Sequence, residues 1–331
     1  MNKIKTAWLT TNRSCNNQCT WCYAQNALPA NMPYDKAKEV IDALAELQVK
    51  KIILIGGEPT IYGDFIHLIQ YISQKKIKVG LTTNGLKFAD MKFVEATSGA
   101  GLTSANISIK GTTPEEYINT TGNNGFEKML RGYHNLKKKG ISITCSYVIT
   151  KDDTDEITRL LEFLKKESIK DIVFQFIKPV VSEKSQKIME FQEMGNMVKY
   201  IYECFEKEDI RYLLELSFPF CYIDRKCLQN LIEANRIVSG CHVFSGSGIV
   251  FDANMRVLPC NHFTDFPFQG KAQNKLEIIE LWKSKEVSEF RQKVCSYPSV
   301  KCKACKLWNM CGGGCFTRWL YLNPENEIRG L

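Results

Sequence analysis

Hydrophobic and polar positions along the chain follow two alternating patterns. Short apolar runs that are typical of buried strands are each followed by a segment with apolar residues at helical spacing. One such pair takes about thirty residues, which indicates βαβ units and a parallel sheet. The strands predicted in this way are 7–12, 50–56, 78–85, 104–111, 142–150 and 171–179. The helices predicted between them include 33–48, 64–76, 91–100 and 127–140.

Six such repeats predict an α/β fold, either an open sheet or a partial (β/α)6 barrel of parallel strands. Past Pro179 the alternation lapses, and residues 181–235 are interpreted as a helical linker. Cysteine-rich, turn-rich sequence follows, in which 246–260 predicts a hairpin. The predicted organisation is therefore a core over 1–180, the linker, and a smaller domain over 236–331.

The composition is that of a globular protein, with 44% hydrophobic and 24% charged residues in 331. The sequence contains no apolar run long enough to cross a bilayer, and its start lacks the apolar stretch of a secretory signal. These features predict a cytoplasmic protein without membrane association. The formal charge of +8 does not predict nucleic-acid binding, because the lysines are spread over solvated helix faces.

Fourteen cysteines without an export signal favour metal ligation, because cytosolic thiols are kept reduced. Nine of them form two groups. The first group is Cys15, Cys19 and Cys22. The second group is Cys241, Cys260, Cys302, Cys305, Cys311 and Cys315. Thiolates at such spacings suit zinc or iron–sulfur clusters.

The first group supplies three thiolates from one loop of eight residues. Three thiolates match three irons of a cubane and leave the fourth iron open for reaction. A structural zinc site is the alternative, but it needs a fourth ligand, and no further Cys or His lies nearby in the sequence. The spacing therefore favours an iron–sulfur cluster.

The run TNRSCNNQCTWCYA, followed by a strand that ends in GGEP, resembles the radical S-adenosylmethionine (SAM) superfamily over residues 7–180. The resemblance implies a [4Fe–4S] cluster whose open iron is chelated by SAM. It also implies reductive cleavage of SAM to a 5′-deoxyadenosyl radical, which abstracts a hydrogen atom from a substrate.

Five residues of these two motifs are candidates for SAM binding. Trp21 offers an apolar face suited to an adenine. Gly56 and Gly57 allow a ligand to approach the backbone, and Pro59 stiffens the turn. Glu58, or a nearby carbonyl, is expected to accept from the ammonium group of SAM.

Three further candidates come from later repeats. Asn84 and Ser108 lie near carboxyl ends of predicted strands, where α/β sheets bind ligands. Arg131, on the next helix, is a candidate partner for the SAM carboxylate. Each has an ordinary alternative: a strand-to-turn ending for Asn84, a core hydroxyl for Ser108 and a solvent-facing cation for Arg131.

The spacing Cys-x2-Cys-x5-Cys-x3-Cys of the second group resembles the SPASM extension of peptide-modifying radical SAM enzymes over about residues 236–320. Such a domain carries two auxiliary [4Fe–4S] clusters. The resemblance assigns Cys241, Cys260 and Cys315 to the first auxiliary cluster. It assigns Cys302, Cys305 and Cys311 to the second.

The sequence departs from the SPASM pattern at two places. Met255 stands where a glycine is expected, so Asn254 is a candidate for the left-handed turn residue. No cysteine follows Cys315, so the second auxiliary cluster lacks a ligand. The candidates for that ligand are Glu325, Glu327, Asp265 and Cys295, and an open iron is the alternative. An upstream ligand of the first auxiliary cluster would be Cys221 or Cys227, and the alternative is that this cluster has no upstream ligand.

A radical SAM cluster together with auxiliary clusters predicts oxidative modification of a ribosomally made peptide. The expected product is a thioether, ether or carbon–carbon crosslink or an oxidised side chain. The expected partners are the peptide, a reductant such as flavodoxin or ferredoxin, and a separate peptide-recognition protein. The alternatives are a small-molecule radical SAM dehydrogenase or epimerase, a formylglycine maturase, a peptide epimerase, and a non-catalytic metal-binding module. The residue that completes the reaction is not identified by the sequence.

Overall fold

The computed structural model describes the chain in five ranges: 4–24, 29–179, 189–238, 241–264 and 266–331. It divides into two compact units. The first combines Met1–Thr144 with Ser245–Gln292, and the second combines Cys145–Phe244 with Lys293–Leu331. These boundaries differ from the predicted ones at residues 180 and 235, because the segment after residue 244 returns to the first unit.

Parallel strands form the centre of the first unit. Its described strands are β1 (Thr6–Thr10), β2 (Lys51–Ile55), β3 (Lys78–Thr83), β4 (Leu102–Ile109), β8 (Gly248–Phe251) and β9 (Val257–Leu258). Their order in the sheet is β4-β3-β2-β1-β8-β9. All neighbouring pairs are parallel except β8 and β9. The sheet has polar residues on one face, where Thr82 of β3 pairs in register with Asn106 of β4.

Helices cover the apolar face of these strands. The helices of this unit are α1 (Tyr34–Glu46), α2 (Phe65–Gln74), α3 (Met91–Ala100), α4 (Pro114–Thr121), α5 (Phe126–Lys138), α10 (Lys275–Lys283) and α11 (Lys285–Val294). Alternate strand residues such as Leu9, Leu54 and Ile107 are completely buried. This alternation of apolar and polar positions explains why the strands were predictable from the sequence.

The predicted hairpin is present, with β8 and β9 antiparallel and Phe251 opposite Val257. Its turn differs from the expectation. Met255, and not Asn254, adopts the left-handed conformation, with φ of 66°. The buried Asp252 carboxylate holds this turn, because it accepts hydrogen bonds from the backbone nitrogens of Asn254 and Arg256, both at 2.9 Å.

The second unit continues the alternation of strands and helices. Its strands are β5 (Ser142–Ile149), β6 (Asp171–Phe176) and β7 (Arg211–Glu215), in the order β5-β6-β7 and parallel throughout. Its helices are α6 (Thr154–Lys166), α7 (Phe191–Phe205), α8 (Arg225–Glu233), α9 (His242–Ser245), α12 (Val300–Lys303), α13 (Trp308–Cys311) and α14 (Pro324–Glu327).

The segment interpreted as a helical linker thus also contributes a strand. β7 was not predicted, because its short sequence, RYLLE, is charged at both ends and comes shortly after the polar run EKED. The six predicted strands are all present, so the predicted α/β fold with parallel strands is confirmed, followed by a cysteine-rich C-terminal region. Among the described helices, none has the length and apolar character needed to cross a membrane.

Candidate functional site

Cys15, Cys19 and Cys22 lie on the loop that follows β1. The backbone nitrogen of Cys22 donates to the carbonyl oxygen of Cys19 at 3.1 Å, which makes a tight turn between them. Backbone N–H groups also point at two of the thiols. Those of Asn17 and Ala24 donate to the Sγ atoms of Cys15 and Cys22, each at 3.4 Å. Such contacts stabilise thiolates, the form that ligates iron.

The thiols of the loop are close enough to affect the protonation of Cys15 and Cys22. The pKa of the Cys15 thiol is raised to about 11, mainly by burial and also by the charges of Glu58, Cys19 and Cys22. Burial also raises the pKa of Cys22, and Cys19 adds to this rise. A bound cation would remove this mutual repulsion.

The loop after β2 packs backbone to backbone against the start of the cysteine loop. A Cβ on Gly57 would lie 2.5 Å from the carbonyl oxygen of Arg13 and closer still to that of Ser14. The nitrogens of Gly57 and Glu58 donate to the carbonyl oxygens of Asn12 and Ser14, at 2.8 and 2.9 Å. The two glycines of GGEP are therefore needed for this close approach, since Gly56 is confined by Asn12 in the same way.

Glu58 is 1% exposed and connects this loop to the end of β3. One carboxylate oxygen accepts from the Thr60 nitrogen at 3.1 Å and from the hydroxyls of Thr60 and Thr83, both at 2.7 Å. The other accepts from the Asn84 nitrogen at 2.8 Å. Burial raises the pKa of Glu58, while these hydrogen bonds oppose the rise. Glu58 therefore fixes the geometry of two neighbouring loops.

Asn84 continues this network into the cysteine loop. Its side-chain nitrogen donates to the Asn16 side-chain oxygen at 2.6 Å, and its own oxygen accepts from the Leu86 nitrogen at 3.1 Å. Asn16 lies between Cys15 and Cys19. The structure thus connects Glu58 and Asn84 to the cysteine loop through contacts that the sequence did not reveal.

Helix α4 holds the other side of the cysteine loop, and the sequence analysis missed it. The nitrogen of Gln18 donates to the carbonyl oxygen of Thr121 at 2.7 Å, and Asn17 donates to the Tyr117 hydroxyl at 3.2 Å. A signal for this helix was available, because Thr113 caps it by accepting from the Glu116 nitrogen at 3.2 Å. Thr-Pro-x-Glu is a helix-start pattern.

The remaining SAM candidates have different surroundings. Trp21 carries the Lys110 ammonium over its ring at 4.3 Å from the centroid, so a cation lies beside the aromatic face. Pro59 is buried as the first residue of a short helix, Pro59–Ile61. Ser108 is half-buried in β4, and Arg131 is exposed on α5. Arg131 is not among the residues that the structure brings to the cysteine loop.

The donors around the loop fit an iron–sulfur cluster. Three thiols share one loop, their charges interact, and backbone N–H groups face two of them. Within the described ranges, no three His, Cys, Asp or Glu side chains are arranged to hold a single metal ion. A cubane poses a different requirement, because each thiolate binds its own iron.

Four cysteines of the second unit form a further group of neighbouring thiols. Burial raises the pKa of Cys311 to about 11, and the thiols of Cys221 and Cys305 add to this rise. The pKa of Cys302 is also raised by burial, and then by Cys305 and Cys221. Cys227, the other upstream candidate, lies on α8 beside Asp224, Glu203 and Lys199.

Cys241 and Cys315 form a second group in this unit. Desolvation raises the pKa of the Cys241 thiol, and Cys315 raises it further, although residue Cys241 is exposed overall. Cys260 follows β9 in the first unit, so its assignment to the same cluster stays a prediction. Asp265 lies outside the described residues.

A buried cation stands beside Cys315. Arg318 is 0% exposed and donates to the carbonyl oxygens of Ser217 at 3.0 Å and Ile177 at 2.6 Å. Its Nη1 atom is buried without a hydrogen-bond partner among the described residues. Burial lowers the pKa of Arg318 to about 10, and the Cys315 thiol opposes this change. An anionic thiolate-ligated cluster at Cys315 would compensate this buried charge.

Residues 9–164 match the family model of the Radical SAM superfamily. The chain contains a radical SAM domain. A [4Fe–4S] cluster and SAM are the cofactors of this domain, and the cysteine loop lies within the matched range. When bound together, they supply the 5′-deoxyadenosyl radical that abstracts hydrogen.

Curated relatives of the chain have several activities. GTP 3′,8-cyclase of Tolumonas auensis is 32% identical over 169 residues, 49% of this chain and 50% of the relative. The chain thus spans about half the length of the first curated relatives that it matches. AdoMet-dependent heme synthase of Methanosarcina barkeri is 26% identical over 323 residues, 91% of this chain and 90% of the relative.

Among solved structures, Streptococcus suis SuiB bound to S-adenosylmethionine matches with a TM-score of 0.75 and 18% identity. The match covers 99% of this chain and 77% of SuiB. SuiB bound to the precursor peptide SuiA also has a TM-score of 0.75 and covers 98% of this chain. At this level of identity the likeness shows a shared fold.

Proposed function

We propose that this radical SAM enzyme oxidises a ribosomally made peptide, by forming a thioether, ether or carbon–carbon crosslink or by oxidising a side chain. The observation that carries the proposal is the group of neighbouring thiols of Cys302, Cys305 and Cys311, in addition to those of the cysteine loop. This group would provide ligands for the second auxiliary [4Fe–4S] cluster, and the first auxiliary cluster would use Cys241, Cys260 and Cys315.

An auxiliary cluster fits an oxidative outcome for a reason of electron balance. Removal of one hydrogen atom leaves a substrate radical. A two-electron oxidation is completed when one more electron and one proton leave the substrate. The thiols of the second unit provide a place for the acceptor of that electron. The SAM candidates Trp21, Gly56, Gly57, Glu58, Pro59, Asn84, Ser108 and Arg131 remain part of the proposal.

The peptide class of substrate is supported by the fold shared with SuiB, a protein solved with its precursor peptide. We further propose that a flavodoxin or ferredoxin supplies the reducing electron and that a separate protein presents the peptide. The corresponding test is an anaerobic reaction of the enzyme with SAM, reductant and the peptides encoded beside its gene, followed by mass spectrometry.

The proposal predicts a product that has lost two hydrogens in a crosslink or oxidised side chain. The variant C311A should still form 5′-deoxyadenosine but lose this product, and C15A should form neither. Deuterium uptake from solvent without a mass loss would instead identify a peptide epimerase. The proposal is contradicted if no tested peptide is altered.

A second candidate is a small-molecule reaction on a heme precursor. It is favoured by the match to AdoMet-dependent heme synthase, which covers nine-tenths of both chains. The same enzyme preparation should then form heme from a porphyrin precursor and leave the peptides unchanged. Product masses from the two parallel reactions discriminate the candidates directly.

A further inference from the structure

The short helix Phe220–Tyr222, which contains Cys221, packs onto the C-terminal cysteines. The backbone nitrogen of Phe220 donates to the Sγ atom of Cys311 at 3.4 Å. The backbone nitrogen of Cys315 donates to the carbonyl oxygen of Ser217 at 3.0 Å. These two contacts hold residues 217–221 beside the run from Cys311 to Cys315, although about ninety positions separate them in the sequence.

The three glycines between Cys311 and Cys315 make this approach possible. Gly312, Gly313 and Gly314 all adopt positive φ, a conformation that favours glycine. A Cβ on Gly314 would lie 2.8 Å from the carbonyl carbon of Phe218. The GGG run therefore brings the backbone of the two segments into direct contact, three residues before Cys221.

Cys221 directly follows Phe220, whose backbone nitrogen donates to the Cys311 Sγ atom, so Cys221 lies beside Cys311. Cys302 and Cys305 lie on the same C-terminal segment as Cys311 and are joined by a tight turn, in which the Cys305 nitrogen donates to the Cys302 carbonyl oxygen at 3.2 Å. Burial raises the pKa of both Cys302 and Cys311, and Cys221 and Cys305 each contribute to the rise at these two residues. Four thiolates are the full ligand set of a [4Fe–4S] cluster.

Three of the other candidates for the fourth ligand, Glu325, Glu327 and Cys295, make hydrogen bonds elsewhere. Both carboxylate oxygens of Glu325 accept hydrogen bonds at the start of α12, from Ser299 at 2.9 Å and Val300 at 3.1 Å. Glu327 contacts the Tyr222 hydroxyl. The exposed Cys295 donates to the Phe244 carbonyl oxygen at 3.2 Å.

We propose that Cys221 is the fourth ligand of the auxiliary cluster held by Cys302, Cys305 and Cys311. Cys221 thereby replaces the cysteine expected after Cys315. This assignment rests on the proposed function, in which the C-terminal cysteines hold iron–sulfur clusters. Its consequence is a cluster without an open iron, which passes electrons and does not bind the substrate directly.

The test compares C221A with C204A in a chain whose first cluster has been removed by C15A, C19A and C22A. Cys204 is the control, because it is half-buried on α7 in the same unit and belongs to neither cysteine group. After anaerobic reconstitution, iron and sulfide are assayed and Mössbauer and EPR spectra are recorded. C221A should lose about four irons per chain or yield a [3Fe–4S] spectrum, while C204A retains the parent values.

C311A serves as the reference for the proposed function itself. If C311A keeps the parent iron content, no auxiliary cluster is held at this group and the proposed function fails. If C311A loses iron while C221A keeps the parent iron content and spectra, only the assignment of Cys221 is overturned.

A second measurement uses the parent protein and so does not depend on the folding of a Cys221 variant. Native alkylation of the reconstituted protein should leave Cys221 protected together with Cys302 and Cys311, and chelation of iron should expose all three. The exposed Cys295 should be alkylated in both states. Alkylation of Cys221 at the rate of Cys295 in the cluster-loaded protein would overturn the proposal.

Discussion

Gly57 lies so close to the carbonyl oxygen of Ser14 that no side chain fits between the loop after β2 and the cysteine loop. The nitrogen of Glu58 donates to the same oxygen at 2.9 Å. Ser14 immediately precedes Cys15. The position of the first cysteine therefore depends on the absence of a side chain at residue 57.

The variant G57A should displace the cysteine loop. Its Cβ would overlap backbone atoms of Arg13 and Ser14, which cannot move aside as a flexible side chain can. We expect a loss of about 1–3 kcal/mol in the free energy of unfolding and reduced iron at the first cluster. Gly63 is the matched control, because a Cβ there meets nothing within 4 Å. Equal iron content and stability in G57A and G63A would contradict this account.

The variant E58Q should weaken the connection between the GGEP loop and β3. Glutamine has one acceptor oxygen, so its amide group would face either the Asn84 nitrogen or the Thr60 nitrogen, both donors. A buried donor without an acceptor is destabilising by about 1–3 kcal/mol. Chemical denaturation should show this loss in E58Q but not in E95Q, whose parent residue is exposed on α3. An unchanged unfolding midpoint would argue against the network.

The Lys110 ammonium should raise the reduction potential of the first cluster. It lies over Trp21 and lowers the pKa of the Cys22 thiol against the larger effect of burial. A cation favours the more negative, reduced state of a nearby cluster. Potentiometric EPR should therefore give a lower midpoint for K110M than for the parent. K38M removes an equivalent contact over Tyr34 and should leave the midpoint unchanged.

Arg318 should act in the same direction on an auxiliary cluster at Cys315. R318M removes a buried positive charge, so the reduction potential of that cluster should fall. R318K keeps the charge but loses part of the hydrogen bonding to Ser217 and Ile177, and it should restore most of the potential. If R318M and R318K shift the potential equally, the charge is not the cause.

Local patterns in the sequence predicted the strands and the cysteine loop well. The strands are short apolar runs such as KIILI of β2, and Cys15, Cys19 and Cys22 lie within eight positions. The roles of the GGEP residues were harder to predict from the sequence. The sequence named Glu58, or a nearby carbonyl, as an acceptor for the ammonium group of SAM, and this stays a prediction. The four hydrogen bonds that the Glu58 carboxylate accepts from Thr60, Thr83 and Asn84 were not predicted.

Contacts between distant segments could not be predicted in this way. The proximity of Cys221 to Cys311 depends on the fold of the whole second unit and on three consecutive glycines. In the sequence, these glycines do not indicate which distant segment they contact. The turn at Met255 was assigned to Asn254 because asparagine favours left-handed backbone, but the Asp252 carboxylate imposes that conformation on methionine. Arg131 was a candidate from its position in the repeat, yet it lies on the exposed side of α5.

The most direct test of the central claim is the formation of 5′-deoxyadenosine from SAM by anaerobically reconstituted protein with dithionite. The parent chain and the triple variant C302A/C305A/C311A should both form it, because the cysteine loop after β1 is intact in each. The triple variant C15A/C19A/C22A should form none. Formation of 5′-deoxyadenosine by that variant, or its absence with the parent chain, would contradict the assignment of radical initiation to these three cysteines.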